Sequence, residues 1–197
     1  MPGGRISSQF LVASLLATVA CSKPAPAPEA VQTPPPPTPV ERGSYLVSTN
    51  GCPDCHSPKV MTAQGPEPDT SRLLSGHPSN LRVGPYPGGM LGPNRWGAAA
   101  SPMFTAWAGP WGISFTANLT PDSTGLGNWT PEMFIRAIRS GKHAGVGRPI
   151  LPPMPWQQYR NFTDEDLRAI FAYLQSLKPV HNVVPQPVPP PAPPEGS

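Results

Sequence analysis

Two thiols and an imidazole stand within five consecutive residues, Cys52-Pro53-Asp54-Cys55-His56. Such a group suits three chemistries: disulfide exchange by a C-x-x-C pair, zinc binding by cysteine and histidine, and attachment of a c-type haem by C-x-x-C-H. Haem attachment uses every residue. Each thiol adds to one vinyl group of the porphyrin, and the histidine places its imidazole under the iron. The other readings fit less well. Redox C-x-x-C pairs belong to a βαβ setting, and no such pattern surrounds this one. A zinc site needs a further ligand cluster, whereas the chain has 3 cysteines and His77, His143 and His181 are scattered. A Cys52–Cys55 disulfide would close a very small, strained loop. The motif therefore points to one haem c, held covalently by Cys52 and Cys55, with His56 as the proximal iron ligand.

A second axial ligand is sought among soft donors. Met154 lies between Pro153 and Pro155. Proline on both sides blocks helix and stiffens the backbone, so little entropy remains to be lost when the thioether binds iron. Sulfur also suits iron trans to histidine. Met133 reads as helix core, and Met61 and Met90 as surface or packing residues in loops. His143 is the competing ligand, with a solvated position just past a helix end as its other reading.

These side chains need elements to hold them. Thr38-Pro39-Val40-Glu41 is a capping box with proline at the first helical position. It predicts a helix with Tyr45, Leu46 and Val47 on its apolar side, stopped at Asn50-Gly51. The haem motif then follows in a short turn. Thr130-Pro131-Glu132 opens a second helix with Phe134, Ala137 and Ile138 on one face, closed by Gly141. Thr163 caps a third, in which Leu167, Ile170, Phe171, Leu174 and Leu177 recur at helical spacing. The stretch 57–114 is rich in Gly, Pro and Ser and shows little periodicity. A structureless loop of that length is unusual. Ordered loops pinned by Trp96, Trp107 and Trp111 are expected, with short strands near Met103-Phe104 and Ile113-Ser114-Phe115. The tryptophans either pack on the porphyrin or form ordinary loop core.

The ends differ from the middle. Residues 1–20 read as an export signal, with Arg5 ahead of a short apolar run. Thr18-Val19-Ala20-Cys21 is similar to a lipoprotein signal, although threonine replaces the usual leucine. Cys21 is then either the lipidated first residue of the mature chain or a free thiol after ordinary cleavage. Acyl chains there would anchor the protein to a membrane without spanning it. Residues 21–38 form a proline-rich tether, 39–180 the folded domain, and 181–197 a proline-rich tail expected to be disordered. With 33 prolines among 197 residues, a uniformly helical chain or a central sheet throughout is excluded. A net charge of +3 argues against a nucleic-acid partner.

Cys52 to His56, the proline-flanked Met154 and the helix ending Ala172-Tyr173-Leu174 together resemble class I cytochromes c, over roughly residues 40–180. The resemblance implies a mainly α, cytochrome c-like fold of three or more helices around one haem, here with a long Gly/Pro-rich loop insertion. It also implies that first and last helices cross beside the haem, with Gly43 and Tyr45 meeting residues 171–174. Residues 41–47, 118–129 and 148–159 are more specifically similar to cytochrome c proteins and subunits that serve bacterial periplasmic dehydrogenases. Many of those carry several haems, whereas one C-x-x-C-H here implies one. The long separation of His56 from Met154 leaves open which carbonyl orients His56, and Pro66 and Pro68 are the candidates.

An iron closed by two protein ligands favours electron transfer over catalysis. The expected role is a monohaem carrier, not itself an enzyme. It would be exported, tethered on the periplasmic side, and placed between a dehydrogenase and another cytochrome or an oxidase. The alternatives are a haem enzyme or small-ligand sensor with a labile sixth iron site, or an assembly factor.

Overall fold

The computed structural model describes residues 35–92 and 94–192. The expected export signal, Cys21 and nearly all of the tether lie outside the described residues. Three longer helices form one wall. Helix α1 (Pro39–Thr49) starts at Thr38, whose Oγ1 accepts the Glu41 N–H at 3.3 Å while the Glu41 carboxylate accepts the Thr38 N–H at 2.8 Å. The expected capping box is therefore present. Helix α2 (Cys52–His56) is one short turn containing the whole C-x-x-C-H run. Helix α3 (Pro131–Ser140) is capped by Thr130, α4 (Trp156–Tyr159) is a single turn, and α5 (Asp164–Ser176) is capped by Thr163.

The apolar faces of α1, α3 and α5 meet in one core that includes Leu46, Val47, Phe134, Ile138, Leu167 and Leu174. Full burial of each such aliphatic or aromatic side chain contributes about 1.5–3 kcal/mol. Helices α1 and α5 approach so closely that a Cβ on Gly43 would lie 1.9 Å from the Ala169 carbonyl oxygen. The expected helix crossing is thus present at Gly43, but not at Tyr45, which is 60% exposed. The helix turns its Leu46 and Val47 side inward instead. Gly141, at φ 66°, ends α3 against the ring of Trp156, which a Cβ would strike at 2.4 Å.

The region 57–114 is not an aperiodic loop. Strands β1 (Lys59–Thr62) and β2 (Gly65–Pro68) form an antiparallel hairpin, and β3 (Ala99–Ala100), β4 (Ala106–Gly109) and β5 (Gly112–Phe115) form a small sheet in that order. The fold is helical with added strands. The strand expected over Ile113–Phe115 is β5. That expected at Met103-Phe104 lies two residues later, because Phe104 sits at φ 57° and interrupts extended backbone.

The expectation of disorder from His181 onward fails for residues 181–192. Buried Asn182 donates from Nδ2 to the carbonyls of Ser75 (2.7 Å) and His77 (2.9 Å), and its Oδ1 accepts the Ser79 N–H at 2.9 Å. Val188 then exchanges main-chain bonds with Ile113 of β5 at 2.8 and 2.9 Å. Proline-rich composition forecast disorder. The segment is fixed instead by hydrogen bonds that need no apolar area.

Candidate functional site

Between the helical wall and the β5 side lies a mainly apolar cavity of about 440 Å³. Cys52, Cys55 and His56 reach it from α2, and Met154 reaches it from the segment after α3. The chain thus brings together the four side chains singled out by type and spacing. No disulfide joins Cys52 to Cys55. Burial pushes the Cys52 thiol up to about 11 and raises that of Cys55. A disulfide-exchange cysteine needs the opposite shift, since the thiolate is the reactive form. Among the described residues, no three His, Cys, Asp or Glu side chains gather into a metal-binding group.

His56 is held in one orientation. Its Nδ1 lies 2.8 Å from the Ala117 carbonyl oxygen. A carbonyl only accepts, so Nδ1 carries the proton and Nε2 keeps the lone pair. Burial lowers the His56 pKa, opposed by the bond to Ala117, so the neutral ring is favoured. The orienting carbonyl is therefore that of Ala117, not of Pro66 or Pro68. Those prolines belong to β2, where Pro66 pairs with Met61 and Pro68 with Lys59. The Ala117 carbonyl is itself placed by flanking bonds. The His77 N–H donates to Thr116 O at 3.0 Å, the Leu119 N–H to Leu74 O at 2.8 Å, and the Gly76 N–H to His56 O at 2.7 Å.

The Met154 segment is pinned on either side of the methionine. The Ile150 N–H donates to Gly141 O at 2.7 Å, and the Ser114 hydroxyl donates to Pro152 O at 2.6 Å. Beyond it, the Tyr159 hydroxyl donates to Asn50 O at 3.0 Å, joining α4 to the end of α1. Met154 is half-buried against the helical core. His143 also lines the cavity, but it is exposed and stands edge-on to Trp129 with ring centroids 5.1 Å apart. Its pKa is lowered by burial and then by Arg148. Of the loop tryptophans, Trp107 lines the cavity, Trp111 donates to Ser114 Oγ at 3.2 Å, and Trp96 is largely exposed. Met61 and Met90 are exposed and Met133 is half-buried.

Sequence reasoning missed two parts of this site. Ala117 contributes a main-chain atom, which every residue possesses, so no residue type signals it. Val183, Val184, Pro185 and Pro187 also line the cavity. The paired valines ahead of the proline run after the last helix were the available signal.

The Cytochrome c family profile matches residues 40–178, and the chain belongs to the cytochrome c family. It is 30% identical over 143 residues to the fructose dehydrogenase cytochrome subunit of Gluconobacter japonicus, covering 72% of this chain and 22% of that protein. It is 31% identical over 147 residues to the gluconate 2-dehydrogenase cytochrome c subunit of Pantoea cypripedii, covering 74% and 24%. A shorter match, 40% over 77 residues, joins 39% of the chain to 6% of a nicotinate dehydrogenase subunit of Pseudomonas putida. The chain thus spans less than a quarter of the length of these relatives. Membership in the family implies a covalently bound haem c. The residues present fit that group: two thiols on one helical turn, an imidazole with a free Nε2, and a thioether, all on one mainly apolar cavity.

Proposed function

We propose that this chain is a monohaem electron carrier in which Cys52 and Cys55 hold the haem and His56 and Met154 close the iron. The observation that carries the reading is the fixed tautomer of His56. The Ala117 carbonyl accepts a hydrogen bond from Nδ1–H, so the Nε2 lone pair is free to bind a metal on the same cavity as both thiols and Met154. The bound haem supplies a one-electron ferric/ferrous couple. The chain's own residues orient the imidazole through Ala117, hold the Met154 backbone through Gly141 and Ser114, and exclude water with the helical core. With His56 and Met154 both holding the iron, a bound haem would offer substrate no open position and would serve to exchange electrons with docked proteins.

The likeness to cytochrome subunits of dehydrogenases supports a dehydrogenase as donor, with another cytochrome or an oxidase as acceptor. The run before Cys21 supports export to the periplasmic side and a lipid anchor at Cys21. No helix among the described residues is long and apolar enough to cross a membrane. The anchor requires acyl mass on a mature N-terminus that begins at Cys21.

The visible spectrum of the purified protein in both oxidation states tests the reading. A c-type haem spectrum is expected, with the weak far-red sulfur-to-iron band of the ferric form present in the wild type and absent in Met154→Ala. A colourless protein with free thiols would overturn the whole proposal. A wild type that lacks the far-red band and binds cyanide or carbon monoxide rapidly would replace it with a haem enzyme or ligand sensor.

A further inference from the structure

Lys59 follows closely on the attachment turn and is only 8% exposed; no other lysine or arginine among the described residues is buried. Its Nζ donates to three carbonyls: Asp54 at 2.6 Å, Ser57 at 3.0 Å and Pro53 at 3.1 Å. An ammonium has three donors, so each is used. Two of the acceptors lie within the Cys52–His56 turn and the third is the next residue.

Carbonyls at the end of a helical turn are normally satisfied by water or by the next element. Burying a lysine to satisfy them is unfavourable unless its charge is compensated. Among the described residues no carboxylate pairs with it, and Asp54 contributes its main-chain oxygen. What is held here is an ammonium whose charge burial disfavours and which three carbonyl dipoles and, without a direct ion pair, the Asp54 charge support. Its contacts place it directly on the ligand-bearing turn, through the carbonyls of Pro53 and Asp54.

We propose that Lys59 is a positioning residue that also acts electrostatically, its buried ammonium fixing the Cys52–His56 turn and favouring the reduced state of the iron. The inference rests on the haem reading above. One electron arriving from a protein donor lowers the charge at the iron by one. A nearby fixed cation stabilises the product of that step relative to the reactant, the more so where solvent screening is weak. The alternative is that Lys59 serves only as a hydrogen-bonding plug, for which shape and donors matter and charge does not.

The test is a spectroelectrochemical titration of the full-length holoprotein carrying Lys59→Met, Lys59→Gln or Lys59→Arg. The two neutral variants are expected to hold the electron about tenfold more weakly, a fall of about 59 mV for a one-electron couple. Lys59→Arg keeps the charge and is expected to stay within about threefold of wild type, as a neutral donor such as glutamine does not. Neutral variants within about twofold of wild type, with intact haem spectra, would overturn the proposal. So would an Lys59→Arg protein that falls as far as Lys59→Met. Failure of both neutral variants to mature, whether or not Lys59→Arg does, would assign Lys59 to haem attachment instead. A wild type without haem would sink the functional reading itself, which separates the two failures.

Discussion

The helical wall and the wall formed by residues 57–120 with the ordered tail are built by different physics. The first buries Leu46, Val47, Phe134, Ile138, Leu167 and Leu174 in one cluster. The second has a far smaller buried cluster of Leu91, Ala108 and Ile113. It depends on buried Ser57, His77, Asn118, Thr120 and Asn182, each with a hydrogen-bond partner. Among the described residues, no buried side-chain nitrogen or oxygen lacks one. Hydrophobic burial is non-directional, so the helices provide volume and stability without aiming any group. Hydrogen bonds are directional, and the second wall supplies the Ala117 carbonyl that aims His56. The walls thus divide the work between holding the site closed and setting its geometry.

The largest effect that would break this division lies on the helical side. Gly43→Val places a branched side chain where backbone already stands 1.9 Å from a Cβ, and the carbonyl of Ala169 cannot swing away without unwinding α5. A loss of about 3 kcal/mol is expected, at the upper end of overpacking costs. The measurement is the urea midpoint of the holoprotein with unchanged slope. Tyr45→Ala, two residues along on the exposed face, is the control and should change stability by less than about 0.5 kcal/mol. Equal stability of the two variants would show that the α1–α5 crossing does not anchor the fold.

The same division explains what the amino-acid sequence made legible. Helices α1, α3 and α5 were readable at their first residues, because Thr38, Thr130 and Thr163 each combine a capping oxygen with the turn that follows. Cys52, Cys55, His56 and Met154 were readable as a candidate ligand set because their side-chain chemistry is rare. The β1–β2 hairpin was hidden because Gly65, Pro66 and Pro68 are poor strand formers, and the tail because its prolines suit disorder as well as docking. The partner of His56 was hidden for a deeper reason, since a main-chain oxygen has no sequence signature. Side-chain chemistry is thus legible where main-chain geometry is not, and the second wall consists largely of the latter.

Asn182 sharpens the comparison at an intermediate magnitude. Asn182→Ala leaves the carbonyls of Ser75 and His77 and the Ser79 N–H without their partner. The expected loss is about 2 kcal/mol, the penalty of leaving buried polar groups unpaired. Asn182→Asp keeps the shape, yet an ionised carboxylate only accepts. It is expected to be at least as damaging, because two carbonyls would face a buried anion. Hydrogen exchange should show faster loss of the Val188 and Ile113 amide protons, while amides of α5 keep their protection. Full stability in Asn182→Asp would show that the tail is held by packing, and the contrast between the walls would fail.

The smallest effect concerns pH. His77 is fully buried, with Nε2 3.1 Å from the Leu81 carbonyl and Nδ1 2.9 Å from the Thr105 hydroxyl. Since Leu81 O only accepts, Nε2 carries the proton and Thr105 donates to Nδ1, an arrangement that satisfies the neutral ring. Burial lowers the pKa from the usual 6.5, against the two hydrogen bonds. The unfolded chain therefore takes up a proton at higher pH than the folded chain. Stability from this residue is complete above about pH 6.5, falls as the pH drops below that value, and levels off once the folded ring is also protonated. Between the two pKa values the slope is at most about 1.4 kcal/mol per pH unit. Urea unfolding of the holoprotein at about pH 7 and pH 5.5 should show lower stability at the lower pH, a loss that His77→Gln removes, as a difference between the two proteins. Other titrating groups, His143 among them, contribute equally to both and cancel. An identical pH dependence in wild type and His77→Gln would mean that water reaches this ring, and that the polar wall is looser than its hydrogen bonds imply.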